Sequence, residues 1–269
     1  MQRAAEWFRQ IEKSCNRFDA ASEVRMMSMQ AGTPVSVSTL LYQAVQFALA
    51  VAEETDGAFD PTIGRHMESI GFARDYRTGA ECGAGLMLST RSSFRDVELH
   101  ADTQSITLHQ PLLLDLGAVA KGLAIDMAAR ELEPFDNFLI DAGGDVYASG
   151  DNPGGCAWAI GIRDPRATDQ LLRTVHVSDV AVCTSGDYAR RSEITGEHHI
   201  VNAVTFSSAN MVASATVLAT SAMVADALAT AAFCLGPHAG IALLKRHQVE
   251  GLIVTPSLQQ FATAGMPLG

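Results

Sequence analysis

Asp226 and Thr230 stand four residues apart in VLATSAMVADALATAAFCLG (217–236), a run otherwise made mostly of small apolar residues. At that spacing a carboxylate and a hydroxyl share one face of a helix. Two hard oxygen donors on an Ala-rich, buried helix suit Mg2+, which takes a few protein oxygens and completes its shell with water and substrate phosphates. Taken alone, the same two residues also serve as local structure, because Thr bonds back to its preceding turn and Asp complements the positive end of a helix. Other segments have to decide between these readings.

The segment PLLLDLGAVAKGLAIDMAARELE (111–133) reads as an apolar strand, a turn at Gly117 and a helix with Leu123, Met127 and Leu132 on its buried side. Strand, small-residue turn and helix start form an anion-binding layout, with backbone N–H groups facing the ligand and Lys121 adding a formal cation. The alternative makes Lys121 a solvated charge in the first helical turn and Asp115 a strand-end residue. In NFLIDAGGDVYASG (137–150), Gly143 and Gly144 allow a tight turn, and the flanking Asp141 and Asp145 read as turn residues. They would do acid/base work only from a shared pocket. His198 and His199 start the last strand of 171–205, and histidine is the side chain best suited to moving a proton near neutral pH.

Several elements must position these residues. Helices are predicted at 1–15 and at about 37–54, the second capped by Ser36 or Ser38. Gly57, Pro61 and Gly64 make 55–72 an ordered loop, and the Gly-rich run 77–90 reads as a surface connection. Strands follow at 95–100 and 104–109 around a turn at Ala101-Asp102, then at 156–166, 212–218 and 250–255, with a helix at 238–247.

Acidic residues number 30 against 19 basic ones, a formal charge of −11, which disfavours nucleic acid or an anionic membrane as a general partner. Cys15, Cys82, Cys156, Cys183 and Cys234 are scattered singly, the pattern of reduced core thiols rather than of a disulfide framework or zinc site. The amphipathic, charged first helix carries no apolar signal region, so the chain as it stands is expected in the cytoplasm without direct membrane insertion.

In this order, GAFDPTIG (57–64), LDLGAVAKGLAID (114–126), LIDAGGDVYASG (139–150), TSGDY (184–188), the His199-Ile200 pair and ADALATAAFCLG (225–236) resemble the hallmark segments of one family, the FAD:protein FMN transferases or ApbE family. The resemblance spans nearly the whole chain. It implies an α+β fold in which mixed or antiparallel sheets pack with helices, built as one domain over 1–269 or as two tightly joined lobes around a flavin cleft. The implied reaction is Mg2+-dependent transfer of the FMN half of FAD to a Thr or Ser hydroxyl of a target flavoprotein, with release of AMP.

Carried over residue by residue, the metal ligands become Asp226, Thr230 and the carbonyl of Ala118. The FAD contacts become Ala58, Phe59, Asp60, Asp115, Lys121 and Ile200, with Phe18 packing on the isoalloxazine ring or, alternatively, in the core. His199 becomes the base that takes the proton from the attacking hydroxyl. The chain departs from the family where Ile200 to Phe206 replace a run close to I-D-P-x-T-G, where Ser28 replaces an Asn, and in lacking the initial strand with its Met-Gly-Thr start. A start placed further upstream would move the expected location to the periplasm or a membrane anchor. The departures also keep two rival readings open, a Mg2+-dependent FAD pyrophosphatase and an FAD-binding protein without catalysis. The retained His199, Asp226 and Thr230 favour transfer.

Overall fold

The computed structural model describes residues 1–75, 79 and 91–267. Its helices are α1 (Gln2–Cys15), α2 (Glu23–Met27), α3 (Thr39–Glu54), α4 (Gly64–Ser69), α5 (Ala120–Leu132), α6 (Ala222–Leu235) and α7 (Pro237–Arg246). Its strands are β1 (Val35–Ser36), β2 (Val97–His100), β3 (Ser105–Leu108), β4 (Phe138–Ala142), β5 (Asp145–Ser149), β6 (Trp158–Arg163), β7 (Leu171–Val177), β8 (Val180–Gly186), β9 (Val201–Asn202), β10 (Ser207–Ser208), β11 (Ser214–Ala219), β12 (Glu250–Val254) and β13 (Gln260–Ala262). Helices and antiparallel sheets together make an α+β fold. The chain divides into two units, one of Met1–Phe8, Lys121–Arg190 and Ala209–Gly269, the other of Arg9–Ala120 and Arg191–Ser208.

The first unit is built on a six-stranded antiparallel sheet in the order β13-β12-β11-β8-β5-β4. Its central strand β11 is buried along its whole length, so it reads SATVLA without polar alternation. Helix α6 covers β8 and β11. Ser221 starts it by accepting a hydrogen bond from Val224 N at 3.3 Å, and Gly236 ends it at φ 84°. The ribbon β6–β7 joins a hydrophobic cluster, where Ile162, Val175 and Val177 meet Val182, Leu218, Leu252 and Val254.

In the second unit, β1-β3-β2 form a small antiparallel sheet and α3 buries Leu41, Ala44, Val45, Ala48 and Val51. Ser38, one of the two predicted caps, accepts from Leu41 N at 3.2 Å. Glu23 fixes that cap, its two oxygens accepting from Ser38 N and Ser38 Oγ at 2.5 Å each.

Several expectations are corrected. The loop 55–72 contains α4, because Gly64 opens a helix rather than ending one; a Cβ there would lie 2.5 Å from the carbonyl oxygen of Leu113, so glycine permits close approach. The apolar run 111–114 is no sheet strand, and its pairing is a single bridge between Leu113 and Ile63. Met127 is half-buried, while α5 buries Leu123, Ile125, Ala128 and Leu132. The last strand of 171–205 begins at Val201, after the histidines. Cys15, Cys183 and Cys234 are buried free thiols as expected, whereas Cys156 is exposed. Cys82 and all but Gly79 of the predicted connection 77–90 lie outside the described residues. Among the described residues no helix is long and apolar enough to cross a membrane.

Candidate functional site

The first unit gathers its charge on α5, α6 and β5. Asp226, buried on α6, receives Lys121 Nζ at 2.9 Å and the backbone N–H of Gly122 at 3.3 Å, both on Oδ2. Lys121 also pairs with Asp145 Oδ2, and Asp145 Oδ1 accepts from Thr184 N at 3.0 Å. Side-chain exposure is 6% for Asp145 and 5% for Asp226 against 47% for Lys121, so the ammonium bridges from the surface to two carboxylates held in the interior. Asp145 is therefore no turn residue. Asp141 is one, accepting from Gly144 N at 2.9 Å.

Burial pushes the Asp226 carboxyl up; Lys121 opposes this, the nearby Asp145 adds to it, and the result is about 6. Burial works against the charge of Lys121, but Asp226 and Asp145 outweigh it and hold the ammonium protonated. The neighbouring Cys183 thiol is pushed well above its ordinary value by burial and then by the same two carboxylates, which leaves it an inert packing group.

Two features of the K-G-x-x-x-D run explain how α5 and α6 come this close. A Cβ on Gly122 would collide with the carbonyl oxygen of Ala222 and lie 2.5 Å from Met223 Cα, so only glycine lets Lys121 reach across. One turn later Asp126 accepts from Ser221 Oγ at 2.6 Å, Ala222 N at 2.6 Å and Met223 N at 3.0 Å, satisfying the free donors at the start of α6. The N–H groups of α5 do not stand open to an external anion throughout, since that of Gly122 is already spent on Asp226.

Thr230 lies one turn beyond Asp226, and its Oγ1 is 2.8 Å from Ser185 Oγ on β8. These residues fit a divalent cation. Two buried carboxylates face a single ammonium, leaving negative charge over, and Asp226 Oδ1 has no protein donor among the described residues. Among the described residues no group of three His, Cys, Asp or Glu side chains forms a metal cage. Mg2+ completed by water and phosphate requires none.

In the second unit the segments expected to contact the flavin are stitched together. Ala58 and Phe59 are buried, and Ala58 O accepts from Ala203 N at 3.1 Å, which ties the AFD segment to the β9–β10 hairpin. Asp60 Oδ1 accepts from Thr62 N and Thr62 Oγ1, and its Oδ2 from Phe94 N, all at 2.8 Å, so its carboxylate shapes the turn. Burial raises the Asp60 carboxyl above its ordinary value despite those bonds. Asp115 N donates to Pro61 O at 2.7 Å. His198 is buried, accepting from Ile200 N on Nδ1 at 3.3 Å, while His199 is half-buried with its ring edge-on to Phe72 at 6.4 Å. His199 is thus the more accessible of the two. Ala118 sits half-buried in the turn leading into α5, and Ile200 is buried.

The sequence reading took one residue here for a turn residue and passed over another. Asp145 gives its role away only through Lys121, 24 positions earlier. Arg17, 4% exposed, donates from Nε to Asp115 Oδ2 at 2.8 Å and from Nη2 to Phe72 O at 2.9 Å, with its guanidinium 4.0 Å over the Phe18 ring.

The scaffold is an α+β fold that carries a carboxylate and a hydroxyl one turn apart on a buried helix. The ApbE family model matches residues 1–253, and the chain belongs to that family. It is 36% identical over 275 residues to an FAD:protein FMN transferase of Treponema pallidum, covering 94% of this chain and 75% of that protein. A second FAD:protein FMN transferase, from Vibrio cholerae, is 30% identical over 230 residues, covering 82% of this chain and 68% of the relative. The crystal structure of the ApbE protein of Thermotoga maritima superposes with a TM-score of 0.86 at 30% identity, over 98% of this chain and 88% of the other.

Proposed function

We propose that this chain is a Mg2+-dependent FAD:protein FMN transferase that moves the FMN half of FAD onto a Thr or Ser hydroxyl of a target flavoprotein and releases AMP. One observation carries the reading: the buried Asp226 carboxylate, with Thr230 one helical turn on and Lys121 Nζ against the same group. The names of the Treponema and Vibrio relatives support it. Asp226, Thr230 and the carbonyl of Ala118 would hold Mg2+, which when bound supplies positive charge to the pyrophosphate.

The remaining work falls to the chain itself. Lys121, aimed by Asp145, places a fixed positive charge beside the phosphates. Phe18, Ala58, Phe59, Asp60, Asp115 and Ile200 seat the dinucleotide, Asp60 by shaping its turn. His199 takes the proton of the acceptor hydroxyl as that oxygen bonds to the FMN phosphorus; the P–O bond to AMP breaks and AMP departs with the negative charge. Positioning and charge neutralisation account for most of such a rate.

The test is incubation with FAD, Mg2+ and a flavin-acceptor domain, followed by assay of AMP, free FMN and covalently fluorescent acceptor. Labelled acceptor with stoichiometric AMP is expected. Free FMN with unlabelled acceptor would replace the reading by an FAD pyrophosphatase, and intact bound FAD by a binding protein.

A further inference from the structure

The contacts of the second unit form a closed circuit with Arg17 as its joint. Arg17 holds Asp115 and the carbonyl of Phe72. Asp115 is bonded to Pro61, whose segment is bonded through Ala58 to Ala203, and the Phe72 ring meets His199. Phe18 stacks on the guanidinium itself. Stability alone is a poor account of this arrangement, because Arg17 Nη1 is buried without an acceptor among the described residues. An unsatisfied buried donor is costly. Stabilising burial would favour a smaller or fully bonded side chain there.

We propose that Arg17 is a positioning residue for FAD: it fixes the Asp115 carboxylate and covers one face of the Phe18 ring, so that the isoalloxazine stacks on the opposite face. The inference rests on the reading that Phe18 and Asp115 contact FAD. A guanidinium suits the task because its planar fork bonds two acceptors while its face lies flat on an aromatic ring, and a lysine ammonium, a compact charge without a planar face, does not combine the two. Arg17 acts through its neighbours.

The experiment compares Arg17→Lys, Arg17→Met and Arg17→Gln with Asp115→Asn and Phe18→Ala. It measures folding by circular dichroism, FAD affinity by quenching of flavin fluorescence, the visible absorption of bound flavin, and the kcat and KM for FAD. Arg17→Lys and Arg17→Met are expected to bind FAD about tenfold more weakly, the equivalent of one charge-assisted hydrogen bond. The stacking-induced change in the flavin spectrum should diminish, with KM rising more than kcat falls. Arg17→Gln, planar and able to reach Asp115, should recover part of the affinity lost in Arg17→Met, and it carries the test if the lysine variant does not fold. Folded Arg17→Lys and Arg17→Gln with wild-type affinity and spectrum, beside weakened Asp115→Asn and Phe18→Ala, would overturn the positioning role alone. Wild-type affinity in Asp115→Asn and Phe18→Ala would overturn the underlying assignment, and the inference with it.

Discussion

In the first unit the polar residues ride on regular elements, with Lys121 on α5, Asp145 at the head of β5, Ser185 on β8, and Asp226 and Thr230 on α6. In the second, Phe18, Asp60, Asp115 and His199 all lie in turns and irregular chain. Backbone ladders and helix packing aim the first set; side chain to backbone bonds, made by Asp60, Asp115 and Arg17, hold the second. A site on rigid elements keeps its geometry when a charge is changed, so charge substitutions there should separate activity from stability. In the second unit a substitution alters the loop and the contact together.

The sharpest way to break that contrast is Asp226→Asn. FMN transfer is expected to fall on the order of a thousandfold, read as AMP release and acceptor fluorescence. The unfolding midpoint should hold or rise, because one ammonium is then left with one buried carboxylate instead of two. Mg2+ should raise the midpoint of the unaltered protein and leave that of the variant unmoved, since only a folded state that binds the ion gains from it. A variant that unfolds readily, or one that retains turnover, would remove the distinction between the two units.

Next in size, His199→Ala should lower kcat by about a hundredfold or more, with FAD binding measured by fluorescence little changed. Equal losses in both would place His199 among the binding residues. Ser185→Ala, which leaves the Thr230 hydroxyl without its 2.8 Å partner, should raise the Mg2+ concentration for half-maximal rate about tenfold while the fold is retained. Smallest is Asp126→Ala, expected to cost about 1–2 kcal/mol of stability through the lost cap on α6, measured by denaturant unfolding.

The same contrast governs what could be read from the chain. Asp226 and Thr230 were visible together because helical periodicity places residues four apart on one face. The turn and helix around Lys121 were visible as well, yet the two roles of Lys121 stayed undecided, since its acceptors are 24 and 105 positions away. Asp145 looked like a turn residue because it follows two glycines, and local pattern carries no information about a partner on another element. Arg17 was silent for the same reason, its partners being 98 and 55 positions off. Gly64 misled in the opposite direction: it read as a helix breaker, but it is glycine because a neighbouring carbonyl leaves no room for a side chain. The apolar run 111–114 read as a strand because it is buried, and burial alone does not make a sheet partner.

The three donors that Asp126 draws onto itself have one more effect. A helix gripped at its first turn cannot screw about its axis, so the direction in which Asp226 faces, one turn downstream, is set before anything binds. Loading of the ion should therefore proceed without a slow conformational phase, at a rate proportional to its concentration.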